Sequence, residues 1–231
     1  IMKKVQAKMN MKEVSICYGM TETSPVSTQT IIGTPLEKQV STVGTVQDHL
    51  EIKIIDPQTG DILPRGIAGE FCTRGYSVMQ KYWNNPEATA QVIDENNWLH
   101  TGDLGTIDAD NNIFIRGRNK TMILSASGQN VYPEEIEAKL NNMPYVMESL
   151  VVENNGKLIA LVCPDYEAVD AEGVDHDQLE VLMEENRKLL NSAVASYEGV
   201  TKIKLYPHEF EKTPKKSIKR YLYSASMESV K

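Results

Sequence analysis

Three short polar segments carry the residue types that a nucleotide site needs. Residues 18–22 read Tyr-Gly-Met-Thr-Glu, residues 101–103 read Thr-Gly-Asp, and residues 117–120 read Gly-Arg-Asn-Lys. Together they offer an aromatic face, a hydroxyl beside a carboxylate, an aspartate suited to a ribose diol, and fixed cations. Neither Gly-x-x-x-x-Gly-Lys-Ser/Thr nor another phosphate-cradling loop precedes Tyr18. The pattern predicts sugar and base contacts without a triphosphate cradle.

Each segment taken alone has an ordinary structural explanation that is favoured over the functional one. Residues 18–22 can form a turn with a buried tyrosine, residues 101–103 contain a common Gly-Asp turn pair, and residues 117–120 can be a solvated basic turn. His100 lacks a neighbouring Ser or Cys nucleophile, so we expect a packing or capping role rather than a general base. The segments indicate a site only in combination.

Two further segments also have alternative interpretations. Residues 212–220 form the densest cationic run, which is either a solvated surface or a mobile cation near a reacting phosphate. Residues 125–130 read Ser-Ala-Ser-Gly-Gln-Asn, which is either a plain loop before a helix or a passage that lets a thin substrate arm pass close to the backbone.

Composition is that of an ordinary globular protein, with 231 residues of which 41% are apolar and 24% charged. We expect a cytoplasmic protein, since no apolar run approaches the length of a membrane span and no signal peptide begins the chain. A net charge of −8 disfavours nonspecific nucleic-acid binding. The three cysteines lack C-x-x-C spacing, which argues against a disulfide framework or a zinc site, and each is expected to be small and buried: Cys17, Cys72 and Cys163.

The first part of the chain is predicted to be rich in short strands. Residues 13–17 alternate like a strand that ends at the first polar segment, and residues 43–116 break into apolar runs between turns, which suggests a small β-barrel or sandwich. Asn85 and Pro86 are typical of a helix start. The chain opens with Ile1 and a helical stretch, so we expect it to begin within a longer polypeptide.

After Gly117 the pattern changes to alternating strands and helices, and we place a domain boundary within residues 117–120. Strands are predicted at 121–125, 148–153, 157–163 and 200–206, and helices at 133–140 and from Gln178 through Tyr197 to a stop at Gly199. The acidic segment 164–177 is predicted to be an exposed loop.

In order and spacing these segments resemble the adenylate-forming superfamily of acyl-CoA synthetases, especially its long-chain and medium-chain fatty-acyl members. The resemblance includes residues 69–79 (Gly-Glu-Phe-Cys-Thr-Arg-Gly-Tyr-Ser-Val-Met) and 82–89 (Tyr-Trp-Asn-Asn-Pro-Glu-Ala-Thr), and it covers nearly the whole chain. It implies an α+β fold. Residues 1–117 would be the end of the large AMP-binding domain with a β-barrel-like subdomain, and residues 118–231 a small mobile α+β domain.

The resemblance also implies a role for each matching residue. Tyr18 would flank the adenine of ATP or AMP, Thr21 would contact phosphate and Glu22 would bind magnesium. The ribose hydroxyls would be held by two further residues, Asp103 and Arg118. Lys120 would be the hinge about which the small domain rotates. Gly128 would lie near the pantetheine arm of CoA. Such enzymes join a carboxylate to AMP, release pyrophosphate, and transfer the acyl group to CoA.

Three departures from the family pattern matter. The Ser/Thr/Gly-rich phosphate loop and most of the acyl pocket are missing, so we expect this chain alone to be inactive. Ser217 stands where the family has a catalytic lysine, which leaves Lys216 and Lys219 as substitutes. Lys81 occupies a usual glycine position, and we expect only a local loop change.

Two function classes follow from the sequence. The first is the carboxy-terminal part of an ATP-dependent fatty-acyl-CoA ligase whose small-molecule substrates are fatty acid, ATP and CoA, with a carrier protein as an alternative acceptor. The second is a noncatalytic nucleotide-binding or protein-interaction module that retains the fold. Self-association of the truncated chain is predicted as well, because apolar surface normally covered would be exposed.

Overall fold

The computed structural model describes residues 2–11, 13–125, 127–214 and 216–224. It divides into two compact units, Ile1–Lys120 and Thr121–Lys231. The division falls after Lys120, at the end of the segment 117–120 where the sequence pattern changes. Both units combine sheets with few helices, and the α+β class is confirmed.

The described residues of the first unit form seven strands and three helices. The strands are β1 (Cys17–Tyr18), β2 (Thr28–Gln29), β3 (Thr45–Val46), β4 (Leu50–Ile55), β5 (Gly69–Gly75), β6 (Leu99–Ile107) and β7 (Ile113–Arg118). The helices are α1 (Met2–Met9), α2 (Leu36–Ser41) and α3 (Pro86–Val92), and a 3-10 turn spans Thr21–Thr23. The strand predicted at 13–17 is wrong in extent, because ladder pairing begins only at Cys17.

Two antiparallel sheets form from these strands. One has the order β1-β2-β3 and the other the order β4-β5-β6-β7, so the larger sheet is a meander. Backbone hydrogen bonds from Val43 N to Ile113 O (2.9 Å) and from Ile113 N to Gly44 O (2.8 Å) attach the segment before β3 to the edge of β7. Buried Phe71 and Ile113 belong to the core beneath this junction. The two sheets therefore share one apolar centre.

Helix α3 begins as the sequence predicts. The Asn85 side chain accepts a hydrogen bond from Ala88 N at 3.0 Å, and Pro86 occupies the first helical position, where no intrahelical N–H bond is needed.

The second unit is built on one mixed sheet with helices packed against it. Its strands are β8 (Ile123–Leu124), β9 (Asn130–Val131), β10 (Val146–Asn154), β11 (Lys157–Pro164) and β12 (Val200–Leu205). Its helices are α4 (Pro133–Leu140), α5 (Tyr166–Ala171), α6 (His176–Ser192) and α7 (Tyr221–Ser224), with a 3-10 turn at Ser196–Glu198, while the 3-10 turn Asn119–Thr121 spans the division between the units. In the sheet β10-β11-β12 the first pair is antiparallel and the second parallel. Of the strand predicted at 121–125, only Ile123–Leu124 is paired.

Two sequence predictions in this unit are wrong. The segment 164–177 contains helix α5, because Asp165 caps it by accepting from Ala168 N (3.2 Å) and Val169 enters the core. Helix α6 ends at Ser192 instead of reaching Tyr197. The Asn191 side chain bonds both the N–H and the carbonyl of Val200 at 2.9 Å, which ties the end of the helix to the start of β12.

Candidate functional site

A hydrogen-bonded trio of polar residues lies at the edge of the larger sheet in the first unit. The Tyr18 hydroxyl donates to Asp103 Oδ2 at 2.6 Å, and Arg118 Nε lies 3.1 Å from Asp103 Oδ1. Asp103 is 6% exposed, whereas the Arg118 side chain is 64% exposed. The structure thus brings together one residue from each of the three segments singled out in the sequence.

Strand pairing and packing fix these three side chains. Asp103 on β6 lies directly opposite Arg118 on β7 in the antiparallel register. The Tyr18 ring meets Phe71 edge to face, with ring centroids 5.3 Å apart. Burial of Tyr18, reinforced by the negative charge of Asp103, raises the pKa of its phenol well above the usual range. Tyr18 is therefore a neutral donor to the Asp103 carboxylate, which also faces the Arg118 guanidinium.

The segment after Tyr18 is tightly folded because of Gly19. A Cβ at Gly19 would lie 1.8 Å from Pro25 O, so only glycine fits this close approach. The Thr23 hydroxyl accepts from Met20 N at 2.9 Å and donates to Met20 O and Pro25 O. These bonds present Thr21 at the surface, at the start of the 3-10 turn.

Glu22 belongs to a second polar group with Tyr82. The Tyr82 hydroxyl donates to Glu22 Oε1 at 2.8 Å, and Met79 N donates to the Glu22 carbonyl at 2.8 Å. Burial of Tyr82 together with its bond to Glu22 raises the pKa of the phenol. A single half-buried carboxylate fits magnesium, which keeps several waters and takes few protein ligands when it also binds phosphate. The sequence analysis gave Tyr82 no role, although its segment had been matched to the family.

A second layer of contacts supports Asp103. Asp103 N donates to Thr101 Oγ1 at 3.1 Å, and that hydroxyl donates to Phe71 O at 2.6 Å. Glu70 Oε1 accepts from Gly102 N at 3.0 Å. His100 Nδ1 lies 3.1 Å from Glu70 Oε2, so His100 is engaged in packing and hydrogen bonding, as the sequence predicted. Glu70 is a functional candidate that sequence reasoning missed.

This arrangement suits recognition of a sugar diol. Each Asp103 oxygen already accepts one bond, and an ionised carboxylate has about four acceptor positions in all. A carboxylate accepts hydrogen bonds without donating any, which matches the two hydroxyl donors of a ribose diol, and the exposed Arg118 guanidinium can bond an adjacent oxygen. Lys120 follows within the 3-10 turn Asn119–Thr121 and is exposed, so it does not join the trio among the described contacts.

The remaining predicted residues lie in the second unit. Gly128 is exposed in the loop between β8 and β9, with a φ of 77°, and its neighbour Ala126 is outside the described residues. Ser217 is exposed after a turn in which Lys216 N donates to Thr213 O at 2.8 Å. Lys216 is exposed there with a φ of 61°. Lys215 in the same cationic run is also outside the described residues.

Lys219 and Arg220 both pair with carboxylates, whereas Lys216 has no ion-pair partner among the described residues. Lys219 Nζ lies 3.1 Å from Glu211 Oε2, and this contact raises the pKa of the lysine. Arg220 pairs with the buried Glu137, which also accepts Val151 N at 2.6 Å. Arg220 therefore ties the segment after the 213–217 turn to the core of the second unit.

The cysteine predictions hold for two of three residues. Cys72 and Cys163 are buried, but Cys17 is exposed, because it lies at the end of a two-residue strand rather than inside a longer one. No helix in the described part of the chain is both long and apolar enough to cross a bilayer.

Comparison with known proteins shows which enzymes the chain is similar to. Residues 1–83 match the model of the AMP-binding enzyme family. An acyl-CoA synthetase of Bacillus subtilis named YngI is 43% identical over 152 residues, which are 66% of this chain and 28% of that protein. The mitochondrial medium-chain acyl-CoA ligase ACSF2 of Danio rerio is 41% identical over 155 residues, 66% of this chain and 25% of that protein.

A solved structure extends the match to both units. The O-succinylbenzoate CoA synthetase MenE of Bacillus subtilis, in complex with AMP, matches 96% of this chain and 42% of its own, with a TM-score of 0.76 and 25% identity. These matches confirm the predicted resemblance to the adenylate-forming superfamily, with the AMP-binding family model itself covering residues 1–83. The chain spans about a quarter of the length of its curated relatives.

Proposed function

We propose that this chain supplies the ribose-binding and acyl-transfer portions of an ATP-dependent acyl-CoA ligase. The reaction joins a carboxylate to the α-phosphate of ATP, releases pyrophosphate, and then passes the acyl group from AMP to the CoA thiol. A fatty acid is the proposed carboxylate, in line with the relative from Danio rerio, which is named a medium-chain acyl-CoA ligase. The 231 residues alone are proposed to bind the adenylate without catalysing its formation, because no phosphate loop precedes Tyr18.

The observation that carries this proposal is the hydrogen bonding of Tyr18 and Arg118 to one buried carboxylate, Asp103. An acceptor-only group held by a neutral donor and a cation is suited to receive two hydroxyl protons from ribose. An AMP complex of a solved relative with the same fold supports the same nucleotide here.

The other residues take roles around this anchor. Thr21 is proposed to contact phosphate from its exposed position, and Glu22 to hold magnesium, which would neutralise charge on the phosphates. Lys120 is the proposed hinge between half-reactions. Gly128 is proposed to lie beside the pantetheine arm of CoA, since its exposed loop presents no Cβ there.

Lys216 is the better of the two candidates for the missing catalytic cation. Lys219 is neutralised by Glu211 at 3.1 Å. Lys216 is exposed at a turn, where an ammonium group can reach a reacting phosphate. Its position next to Ser217 is also the nearest in sequence to the family's lysine.

Ser217 favours a second candidate function. A chain that binds the adenylate but lacks the family lysine could serve as a noncatalytic nucleotide-binding module. A cytoplasmic location is proposed for either function, although the Danio rerio relative is described as mitochondrial.

AMP binding to the 231-residue chain tests the proposal. Titration calorimetry should give a measurable affinity that falls about tenfold or more in Asp103→Ala. The control Glu51→Ala removes an exposed carboxylate, paired with Arg74 in the same sheet, and should leave the affinity unchanged. Equal affinity of wild type and Asp103→Ala would contradict the proposed ribose site.

Pyrophosphate exchange distinguishes the two functions. It should be measured in a polypeptide that also carries the family's phosphate loop, with Ser217 and with Ser217→Lys. Carboxylate-dependent exchange with Ser217 supports the ligase. If exchange is absent with Ser217 and appears only in the Ser217→Lys variant, the result supports the noncatalytic module.

A further inference from the structure

We infer that Glu70 is a positioning residue for the ribose site, acting on Asp103 through the backbone of Gly102. The inference rests on the proposed nucleotide-binding function and deepens it. Glu70 belongs to β5, and its side chain is only 13% exposed. One of its oxygens accepts from Gly102 N at 3.0 Å, and the other lies 3.1 Å from His100 Nδ1.

The strand that carries Asp103 is irregular at this point. Glu70 pairs with Leu104 and Cys72 with His100, so two steps along β5 correspond to four steps along β6. Residues 101–103 lie opposite Phe71 alone and form a bulge in which Gly102 has a φ of 71°. Ladder bonds are disrupted at a bulge, so an N–H there needs another acceptor. Glu70 supplies that acceptor for the residue directly before Asp103.

The Glu70 oxygen that does not bond Gly102 N is oriented by His100. His100 Nε2 lies 3.6 Å from Asp94 Oδ2, which completes a chain from Asp94 through the imidazole to Glu70. The shorter of the two contacts, between His100 Nδ1 and Glu70 Oε2 at 3.1 Å, holds that Glu70 oxygen in place. Thr101 closes the other end of the bulge through its bond to Phe71 O. The shape of the bulge is therefore set by side chains outside the trio of Tyr18, Asp103 and Arg118.

The same region could be interpreted as a metal site, because possible ligand atoms of Glu70, Cys72 and His100 lie within 4.8 Å of one another. Hydrogen bonding accounts for the arrangement better. Both Glu70 oxygens are engaged by Gly102 and His100, and burial raises the pKa of the Cys72 thiol to about 12, whereas a metal requires the thiolate. Zinc binding is retained as an outcome that the experiment can detect.

Loss of Glu70 should affect recognition of ribose hydroxyls more than recognition of the base. Without its acceptor the Gly102 N–H is left unsatisfied, and the bulge can relax away from the geometry that aims Asp103. AMP should then bind more weakly, while 2′,3′-dideoxy-AMP, which offers no diol to Asp103, should bind much as before. A general loss of folding would weaken both ligands equally.

The experiment compares the affinities of AMP and 2′,3′-dideoxy-AMP for the 231-residue chain and its variants. Wild type should prefer AMP, and Asp103→Ala should abolish the preference. Glu70→Ala should reduce the preference by about fivefold to tenfold. Glu70→Gln should restore most of it, because the amide oxygen can still accept the Gly102 N–H. Glu51→Ala serves again as the matched control, and thermal unfolding checks that each variant is folded.

Each outcome has a distinct meaning. Full preference for AMP in a folded Glu70→Ala variant would overturn the inference while leaving the proposed function intact. No AMP binding by wild type would overturn the proposed function and the inference with it. Stoichiometric zinc binding that Cys72→Ser removes would also overturn the inference, since Glu70 would then act as a metal ligand. Nonadditive losses in Glu70→Ala combined with Asp103→Ala would support action through Asp103.

Discussion

Tyr18 and Asp103 are 85 positions apart in the sequence, yet their side chains share a 2.6 Å hydrogen bond. The bond joins a two-residue strand at the start of the chain to the long strand β6. A buried carboxylate is costly unless it is paired. This contact therefore serves both the fold of the first unit and its candidate ribose site.

Replacing Tyr18 with Phe should destabilise the first unit by about 1–3 kcal/mol, because buried Asp103 loses a donor while the ring packing on Phe71 is kept. Urea unfolding followed by tryptophan fluorescence measures this, since Trp83 and Trp98, both in the first unit, are the only tryptophans of the chain. Tyr76→Phe, at an exposed ring, should have little effect. An equal loss in both variants would contradict the role assigned to the hydroxyl.

Arg220→Ala should destabilise the second unit by about 3 kcal/mol at neutral pH, because it leaves buried Glu137 without its cation. Burial raises the pKa of Glu137, and Arg220 partly offsets this. The difference in unfolding free energy between wild type and Arg220→Ala should therefore shrink as the pH falls and Glu137 becomes protonated, since a neutral carboxylic acid needs no cationic partner. Denaturant-dependent labelling of buried Cys163 follows this unit.

The control for Arg220 is Lys202→Ala, which removes an exposed cation from β12. Its stability should match that of wild type at every pH. A deficit in Arg220→Ala that does not change with pH would argue that lost packing, rather than the unpaired charge, is responsible.

Thiol reactivity should separate the three cysteines. Cys17 is exposed and should react quickly at pH 8, whereas Cys72 and Cys163 are buried and should react only on unfolding. Burial, followed by the charge of Glu70, raises the pKa of Cys72 to about 12. The protonated thiol favours the folded state, so this contribution to stability is full below the ordinary thiol pKa and is lost as the pH rises toward 12. More than one fast thiol in the folded chain would contradict the burial pattern.

Lys216→Ala should lower pyrophosphate exchange about tenfold or more in the polypeptide that carries the phosphate loop, because it removes the proposed phosphate cation. Lys219→Ala should have a smaller effect, since that ammonium is paired with Glu211. Lys202→Ala is the matched control. The assignment fails if Lys219→Ala is inactive while Lys216→Ala keeps its rate.

Self-association of the 231-residue chain is expected through exposed apolar residues of the first unit. Ile31 and Ile32 are 65% and 72% exposed, side by side after β2. Ile31→Ser with Ile32→Ser should shift sedimentation toward a monomer, because it removes apolar area from the proposed contact. Val181→Ser, at an exposed apolar residue of α6, provides the comparison. A clean monomer for wild type at high concentration would disprove the prediction.

The sequence predicted best those elements whose ends carry local signals. Helix α4 matches its predicted bounds because proline and acidic residues mark its start, and α3 begins at an asparagine cap. Helix α5 was missed because its acidic composition indicates a loop, while only Val169 is buried. Its signal was the Asp165 cap, which the sequence does show.

The candidate site was predictable in its members but not in its contacts. Tyr18, Asp103 and Arg118 were named from motif order, yet no local pattern says that a phenol donates to a carboxylate 85 residues away. Glu70 was missed because its role depends on a strand register and a bulge. Pairings of this kind arise from tertiary structure, and a single sequence carries no direct record of them.

The direct opposition of Asp103 and Arg118 on consecutive strands has an evolutionary consequence. The spacing of the proposed sugar-binding pair is set within one hairpin, so the pair can be inherited as a unit. Insertions at the hairpin tip, between β6 and β7, would lengthen a loop and leave the pair facing each other. The ladder already carries one irregularity between Leu104 and Gly105, and a further one-residue insertion there would turn one partner to the opposite face of the sheet unless a second bulge absorbed it. Selection on nucleotide binding should therefore tolerate length variation at the tip and eliminate it a few residues away.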